Sequence, residues 1–244
     1  LFRYRTELEK HLISGGKRVI LTVPPKDEID ATVVLGVNDK ILTGEEKIVS
    51  NASCTTNCAA VLCKPIQDNF KIREGYLITI HAYTMDQRLL DYPHSDMRRA
   101  RAAALSIIPT TTGAAKTLGQ IIPSLSGKID GISYRVPVPD GSVVDLALEL
   151  ETDVTVEDIN TVMKNAAEDK MQFHLQYSEE PIVSVDIVGN PYSAIYDAPL
   201  TKVLKKNFVK ITGWYDNESG YANRVVDLVR KMGHFELNKK EWFD

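Results

Sequence analysis

KIVSNASCTTNCAAVLCKPIQDNF, residues 47–70, passes from a short apolar stretch through small polar residues into a segment whose Ala, Val and Leu spacing predicts a helix. Strand, sharp turn and helix is the outline. Upstream, TELEKHLI (6–13) predicts a short helix ending at Ser14-Gly15-Gly16. KRVILTVPP (17–25) predicts a β-branched strand stopped by Pro24 and Pro25, and TVVLGVND (32–39) predicts another. These near-continuous apolar strands suit a parallel sheet buried on both faces.

Downstream the texture changes. GYLITIHAY (75–83) predicts a strand, residues 84–104 form a polar, Arg-rich segment, and TTTGAAKTLGQIIPSL (110–125) predicts a loop feeding a helix. Strands follow at GISYRVPV (131–138), SVVDLALELE (142–151), EPIVSVDIV (180–188), AIYD (194–197) and FVKITGWYD (208–216), spaced for an antiparallel or mixed sheet. Thr155 with Asp158 makes a capping-box pattern for a helix that places Ile159, Val162, Met163 and Ala166 on one face. A last helix, from about Glu218 to Met232, aligns Tyr221, Val225, Leu228, Val229 and Met232, a stripe that must dock onto something.

Cys54 stands where an apolar strand gives way to a helix. The partial positive charge and unpaired N–H groups of a helix N-terminus would lower its pKa from ~8.5 toward neutrality and could hold an oxyanion. A nucleophile and a small buried cysteine beside a cap are both open readings. Cys58 lies one turn on, so two thiolates and a histidine could hold zinc, although burial of Cys58 and Cys63 on the inner helix face is the plainer expectation. His81 alone among five histidines directly follows an apolar strand, where its side chain would emerge into a cleft. His94 reads as solvent-facing or structural, and His11, His174 and His234 as surface residues. Arg98, Arg99, Arg101 and Arg135, with Thr110, Thr111, Thr112 and Gly113 before a helix start, could bind phosphate groups or form a charged surface face.

With 244 residues, 43% apolar and 25% charged, the chain can bury a full core, which excludes a disulfide mini-protein or a disordered chain. A net charge of −4 gives no global attraction to nucleic acid or an anionic membrane. Three cysteines within ten positions do not resemble a secreted disulfide framework, and no apolar run is long enough for a membrane span. A soluble cytoplasmic protein with reduced thiols is expected.

SNASCTTNC (50–58), HAYTMDQ (81–87), RRARAAA (98–104), IIPTTTGAAK (107–116), RVPVPDGSVVDL (135–146) and WYDNESGYANRVVDL (214–228), in this order, resemble the phosphorylating glyceraldehyde-3-phosphate dehydrogenases over nearly the whole chain. The resemblance implies Cys54 as nucleophile and His81 as acid and base. It also implies Thr84, Asp86 and Arg135 around the substrate phosphate, and Ser53, Thr55, Thr112, Gly113 and Arg99 around the attacking phosphate. Thr22, Asn217 and Tyr221 would lie near the nicotinamide, and no metal is implied. Glyceraldehyde 3-phosphate, a phosphorylated aldehyde, would be oxidised with NAD and inorganic phosphate to 1,3-bisphosphoglycerate by a homotetramer built through the catalytic-domain sheet. Pro93 favours NAD over NADP. The RRARAAA and WYDN strings favour the triose enzyme over its relative erythrose-4-phosphate dehydrogenase, and a truncated, non-catalytic assembly module is a further alternative.

The implied fold is α/β plus α+β: a C-terminal remnant of a Rossmann domain (1–53), a catalytic domain with a mixed, largely antiparallel sheet covered by helices (54–217), and a C-terminal helix returning to the NAD-binding domain (218–244). No GxGxxG occurs in the sequence, so the first part of the nucleotide-binding domain is expected to be absent and the chain alone to bind cofactor weakly and lack activity. Ser219 stands where the family usually has tryptophan, so the terminal helix is expected to pack somewhat differently.

Overall fold

The computed structural model describes residues 2–237. After a first helix, α1 (Arg5–Ile13), three short strands, β1 (Val19–Leu21), β2 (Ala31–Thr32) and β3 (Ile48–Ser50), form an all-parallel sheet in the order β1-β3-β2. The strands are shorter than their apolar runs predict. Only Thr32 of residues 32–39 is extended, because side chains capture the backbone groups a ladder would need. Asn38 Oδ1 accepts from Val34 N–H at 2.8 Å, Asn38 Nδ2 donates to the Thr32 carbonyl at 3.0 Å, and Asp39 Oδ1 accepts from Gly36 N–H at 2.8 Å.

The long helix α2 (Cys54–Phe70) begins where Ser53 Oγ accepts from Thr56 N–H at 3.1 Å, and it is buried along most of its length, Cys58 and Cys63 included. Apart from Lys64 and Asp68, which pair at its outer edge, the helix lies between the large sheet and neighbouring helices. The rest of the chain supplies β4 (Ile72–Ala82), β5 (Ile108–Thr110), α3 (Ala114–Ile121), β6 (Ile129–Val136), β7 (Ser142–Leu150), α4 (Val156–Glu168), β8 (Leu175–Ser178), β9 (Ala194–Asp197), β10 (Lys202–Leu204), β11 (Phe208–Tyr215) and α5 (Ser219–Glu236). Eight of these elements form a mixed, mostly antiparallel sheet ordered β5-β6-β4-β7-β11-β9-β8, with β10 also paired to β11. Strand β7 shows the period-2 logic: Val144, Leu146, Leu148 and Leu150 are buried in the core with α2, while Val143, Asp145, Ala147 and Glu149 turn to the other face. The fold is α/β in the small sheet and α+β in the large one.

Several expectations are corrected. Residues 180–188 form no strand: Asp186 Oδ2 accepts from Val183 N–H at 2.8 Å and closes a 3₁₀ turn over Ser184–Ile187 that leaves Val183 and Val185 exposed. The loop before α3 contains β5, whose Pro109 is tolerated because the strand lies at the sheet edge. On α5, Leu228 and Met232 pack against Val33, Leu35 and Leu42 beside the small sheet, but Val229 is exposed, and the polar residues Arg224 and His234 are buried. His174 and His234 are not surface residues. His174 Nδ1 receives Arg224 Nη1 at 3.1 Å, and His234 is buried.

Candidate active site

Strand β4 lies between β6, parallel, and β7, antiparallel, and the β4–β6 register sets His81 beside Arg135. The end of β4 meets the first turn of α2, where Cys54 Sγ and His81 Nε2 are 3.5 Å apart. His81 Nδ1 lies 2.7 Å from the Ala82 carbonyl, which can only accept, and 2.7 Å from Arg135 Nη1, which can only donate, so these neighbours ask opposite things of Nδ1, and Nε2 is the ring nitrogen that faces the thiol. Arg135 Nη1 also donates to the same carbonyl at 3.2 Å. Burial, reinforced by this cation, holds the imidazole pKa down to about 4, so the ring is neutral at pH 7.

The Cys54 thiol contradicts the expected lowering. Burial pushes it above the ordinary thiol value, and this outweighs the opposing pull of the Thr55 backbone N–H and the Arg135 cation. The resting pair is therefore a thiol facing a neutral base. The N–H of Thr55 at the helix start still pulls the value down, but desolvation is the larger cause.

Two residues missed by the sequence reading organise this pair. The hydroxyl of buried Tyr215 lies 2.9 Å from Thr55 Oγ1 and 3.0 Å from Thr79 Oγ1, and its ring meets His81 edge-on with centroids 5.9 Å apart. Ser142 Oγ accepts from Ala82 N–H at 3.1 Å and donates to Asn217 Oδ1 at 2.6 Å. Both residues fall inside quoted motif strings, but only strand pairing brings them here. Tyr221 reaches the nucleophile turn from α5, its hydroxyl donating at 3.1 Å to the carbonyl of Ala52, a non-glycine residue with φ 54°.

The residues expected around the two phosphates are only partly assembled. Arg99 pairs with Asp86 and donates through Nε to Thr110 Oγ1 at 2.7 Å, and the charges of both Arg99 and Asp86 act on Arg135. Thr112 Oγ1 accepts from Ala114 N–H at 3.2 Å, and exposed Gly113 is the N-cap of α3. Thr84 donates its N–H to Gln87 Oε1 at 3.1 Å. The Ser53 hydroxyl caps α2, and the Thr55 hydroxyl is held inward by Tyr215, so neither is free as drawn from the motif. Thr22 is exposed just past β1. Among the described residues no cluster of three or more His, Cys, Asp or Glu side chains is placed to hold a metal ion, and no helix is long and apolar enough to cross a membrane.

Residues 53–217 match the family described as glyceraldehyde 3-phosphate dehydrogenase, C-terminal domain. The chain is 53% identical over 235 residues to glyceraldehyde-3-phosphate dehydrogenase 2 of Streptomyces avermitilis, which covers 96% of this chain and 70% of that protein. It is 58% identical over 221 residues to the glyceraldehyde-3-phosphate dehydrogenase of Borreliella burgdorferi, covering 90% of this chain and 66% of the relative. With that of Mycobacterium avium it shares 54% over 233 residues, 96% of this chain and 68% of the relative.

Proposed function

This chain belongs to the glyceraldehyde-3-phosphate dehydrogenase family, and on that premise we propose that it oxidises and phosphorylates glyceraldehyde 3-phosphate to 1,3-bisphosphoglycerate with NAD, in glycolysis, through a thioester on Cys54. The observation that carries this reading is the Cys54–His81 pair, 3.5 Å apart with Nε2 of a neutral ring facing the sulfur. His81 Nε2 takes the thiol proton as the sulfur attacks the aldehyde carbon. The protonated ring then returns a proton to the oxygen of the resulting hemithioacetal. The N–H groups at the start of α2 face the developing oxyanion. NAD, when bound, would supply the hydride acceptor; as hydride leaves the hemithioacetal carbon, His81 Nε2 takes back the hydroxyl proton, leaving a thioester. Inorganic phosphate then attacks the thioester carbonyl and releases Cys54.

Arg135 and Asp86 with Thr84 form the substrate-phosphate side. Arg99, Thr112, Gly113 and the α2 terminus form the side for attacking phosphate, which Ser53 and Thr55 join once their hydroxyls turn from Thr56 and Tyr215. Asn217, Tyr221 and Thr22 would hold the nicotinamide end, which fits their chemistry: an amide fixed by Ser142, a half-buried phenol and an exposed strand-end hydroxyl. NAD is favoured over NADP by Pro93, whose carbonyl accepts from Arg88 Nε at 3.1 Å within the long loop. The domains divide at 1–53, 54–217 and 218–244, a division supported by the two separate sheets and by the return of α5 to the smaller one; residues 238–244 of the last segment lie outside the described residues. The homotetramer is supported by the half-buried Ile78, Ile80 and Val143 on the outer sheet face, and a cytoplasmic location is proposed from the glycolytic reading alone.

The test is NAD-dependent oxidation of glyceraldehyde 3-phosphate in inorganic phosphate, measured on a protein that carries a complete nucleotide-binding domain, since the chain alone is expected to bind NAD weakly. Cys54→Ser should abolish it, and His81→Asn should slow it by about 10²–10⁴-fold. Activity retained by Cys54→Ser, or a higher kcat/KM for erythrose 4-phosphate, would sink the proposal. The names of the relatives favour the triose phosphate.

A further inference from the structure

The backbone ladder between β4 and β7 ends at the Ile80–Val143 pair. One residue further on, at the level of His81, a side chain takes over from the backbone: Ser142 Oγ accepts from Ala82 N–H and donates to Asn217 Oδ1. Ser142 is almost wholly buried, so its hydroxyl has no water to trade with, and Asn217 is buried too. Across β7–β11 the same serine is register partner to Tyr215, the residue that holds Thr55 and Thr79.

We infer that Ser142 is a positioning residue that couples the catalytic base to the nicotinamide side of the site, by fixing Ala82 and Asn217 with one hydroxyl. The inference rests on the proposed roles of His81 and Asn217. The argument is one of hydrogen-bond capacity. A serine hydroxyl has one proton. One lone pair accepts from Ala82 N–H, and the proton goes to Asn217 Oδ1 at 2.6 Å, holding the amide in the orientation in which Nδ2 donates to Glu218 Oε1 at 3.3 Å and can be drawn from there toward a ligand. On the other side, anchoring Ala82 through its N–H holds in place its carbonyl, which lies 2.7 Å from His81 Nδ1 and also accepts from Arg135 Nη1. The setting of the base and that of the amide thus hang on the same atom. A serine serving only to finish a strand would have no reason to address both.

The test compares Ser142→Ala, Ser142→Thr and Asn217→Ala with the unaltered protein by two readouts: the pH profile of Cys54 alkylation by iodoacetamide, and NAD affinity by calorimetry in a protein that carries a complete nucleotide-binding domain. The groups facing the reporting pair are Cys54 from α2, Arg135 from β6 and Tyr215 from β11, with Asp86, Arg99 and Glu218 further out. Ser142→Ala should slow alkylation at pH 7 about ten-fold, displace its pH profile and weaken NAD binding about ten-fold, the scale of one buried hydrogen bond lost on each side. Ser142→Thr, which keeps the hydroxyl, should restore both. Asn217→Ala should displace the alkylation profile in the same sense as Ser142→Ala, although it touches neither Cys54 nor His81.

A Ser142→Ala protein that is folded by circular dichroism and keeps the original profile and NAD affinity would overturn the inference. If Ser142→Ala does not fold, an unmoved alkylation profile in Asn217→Ala overturns it instead. Failure of the functional reading looks different: Cys54 in the unaltered protein would then react no faster than Cys58 or Cys63.

Discussion

At the level of single residues, the site is governed by competition between desolvation and local charge. Cys54 has the helix terminus that should favour a thiolate, yet burial sets its resting state as the thiol, and the nearby imidazole becomes the means of deprotonation. Arg135 works against that imidazole becoming charged. Arg135→Ala is therefore expected to have two separable effects. The His81 pKa should rise from about 4 toward, though not to, its ordinary value, because burial is the larger cause and remains; NMR titration of the ring checks this. Use of a phosphorylated aldehyde should also fall far more than use of an unphosphorylated one, by ~10²-fold in kcat/KM for a lost charged hydrogen bond. Equal losses for both substrates would make the arginine structural. The motifs made Cys54, His81 and Arg135 legible in the sequence. Ser142 and Tyr215 were not, because a serine and a tyrosine at strand ends carry no signal until strand register says what they face.

At the level of elements, the chemistry depends on strand register and helix starts. The β4–β6 pairing that puts His81 beside Arg135 also puts Leu77 beside Gly131, and a Cβ on Gly131 would stand 2.5 Å from the Leu77 carbonyl oxygen. That contact is with backbone and cannot be relieved by a rotamer change. Gly131→Ala should cost roughly 1–3 kcal/mol of stability and reduce activity by spreading the strands that carry the base and the arginine; denaturant unfolding and the dehydrogenase assay measure the two. Helix α4 makes a contrast remote from the site. Its N-cap Thr155 accepts from Asp158 N–H at 3.1 Å while Asp158 Oδ2 accepts from Thr155 N–H at 2.8 Å, so Thr155→Ala should cost about 1 kcal/mol and leave kcat unchanged. The capping box was readable because it is local in sequence. The strand expected over 180–188 failed for the same reason in reverse: alternation of apolar residues is a signal about burial, and here Val183 and Val185 have nothing to be buried against.

For the molecule as a whole, α5 is the tie. Its Leu228 and Met232 close the core beside the small sheet, Tyr221 reaches the turn before the nucleophile, and Arg224 enters a buried cluster with His174 and Asp227. Truncating Leu228 to alanine should cost about 3 kcal/mol. His174, like His81, is held neutral chiefly by burial, with a pKa near 4 against an ordinary 6.5. As pH falls below 6.5 the unfolded chain takes up protons that the folded protein refuses, so stability should decline from about pH 6.5 to about pH 4. Thermal unfolding across that range should show the decline, and His174→Gln should flatten it by about half, since one of the two suppressed titrations is removed. By itself the sequence determined the strand–turn–helix that presents Cys54, the buried helix behind it, the alternating strands of the large sheet and the family, since each is written in local pattern or contiguous motif. Tertiary structure alone decided the strand order, the protonation of the Cys54–His81 pair and the convergence of Ser142, Asn217 and Tyr221 on it. Those depend on register, burial and contacts between residues far apart in the chain, and the free energy of a buried charge or hydrogen bond is set by what surrounds it in space.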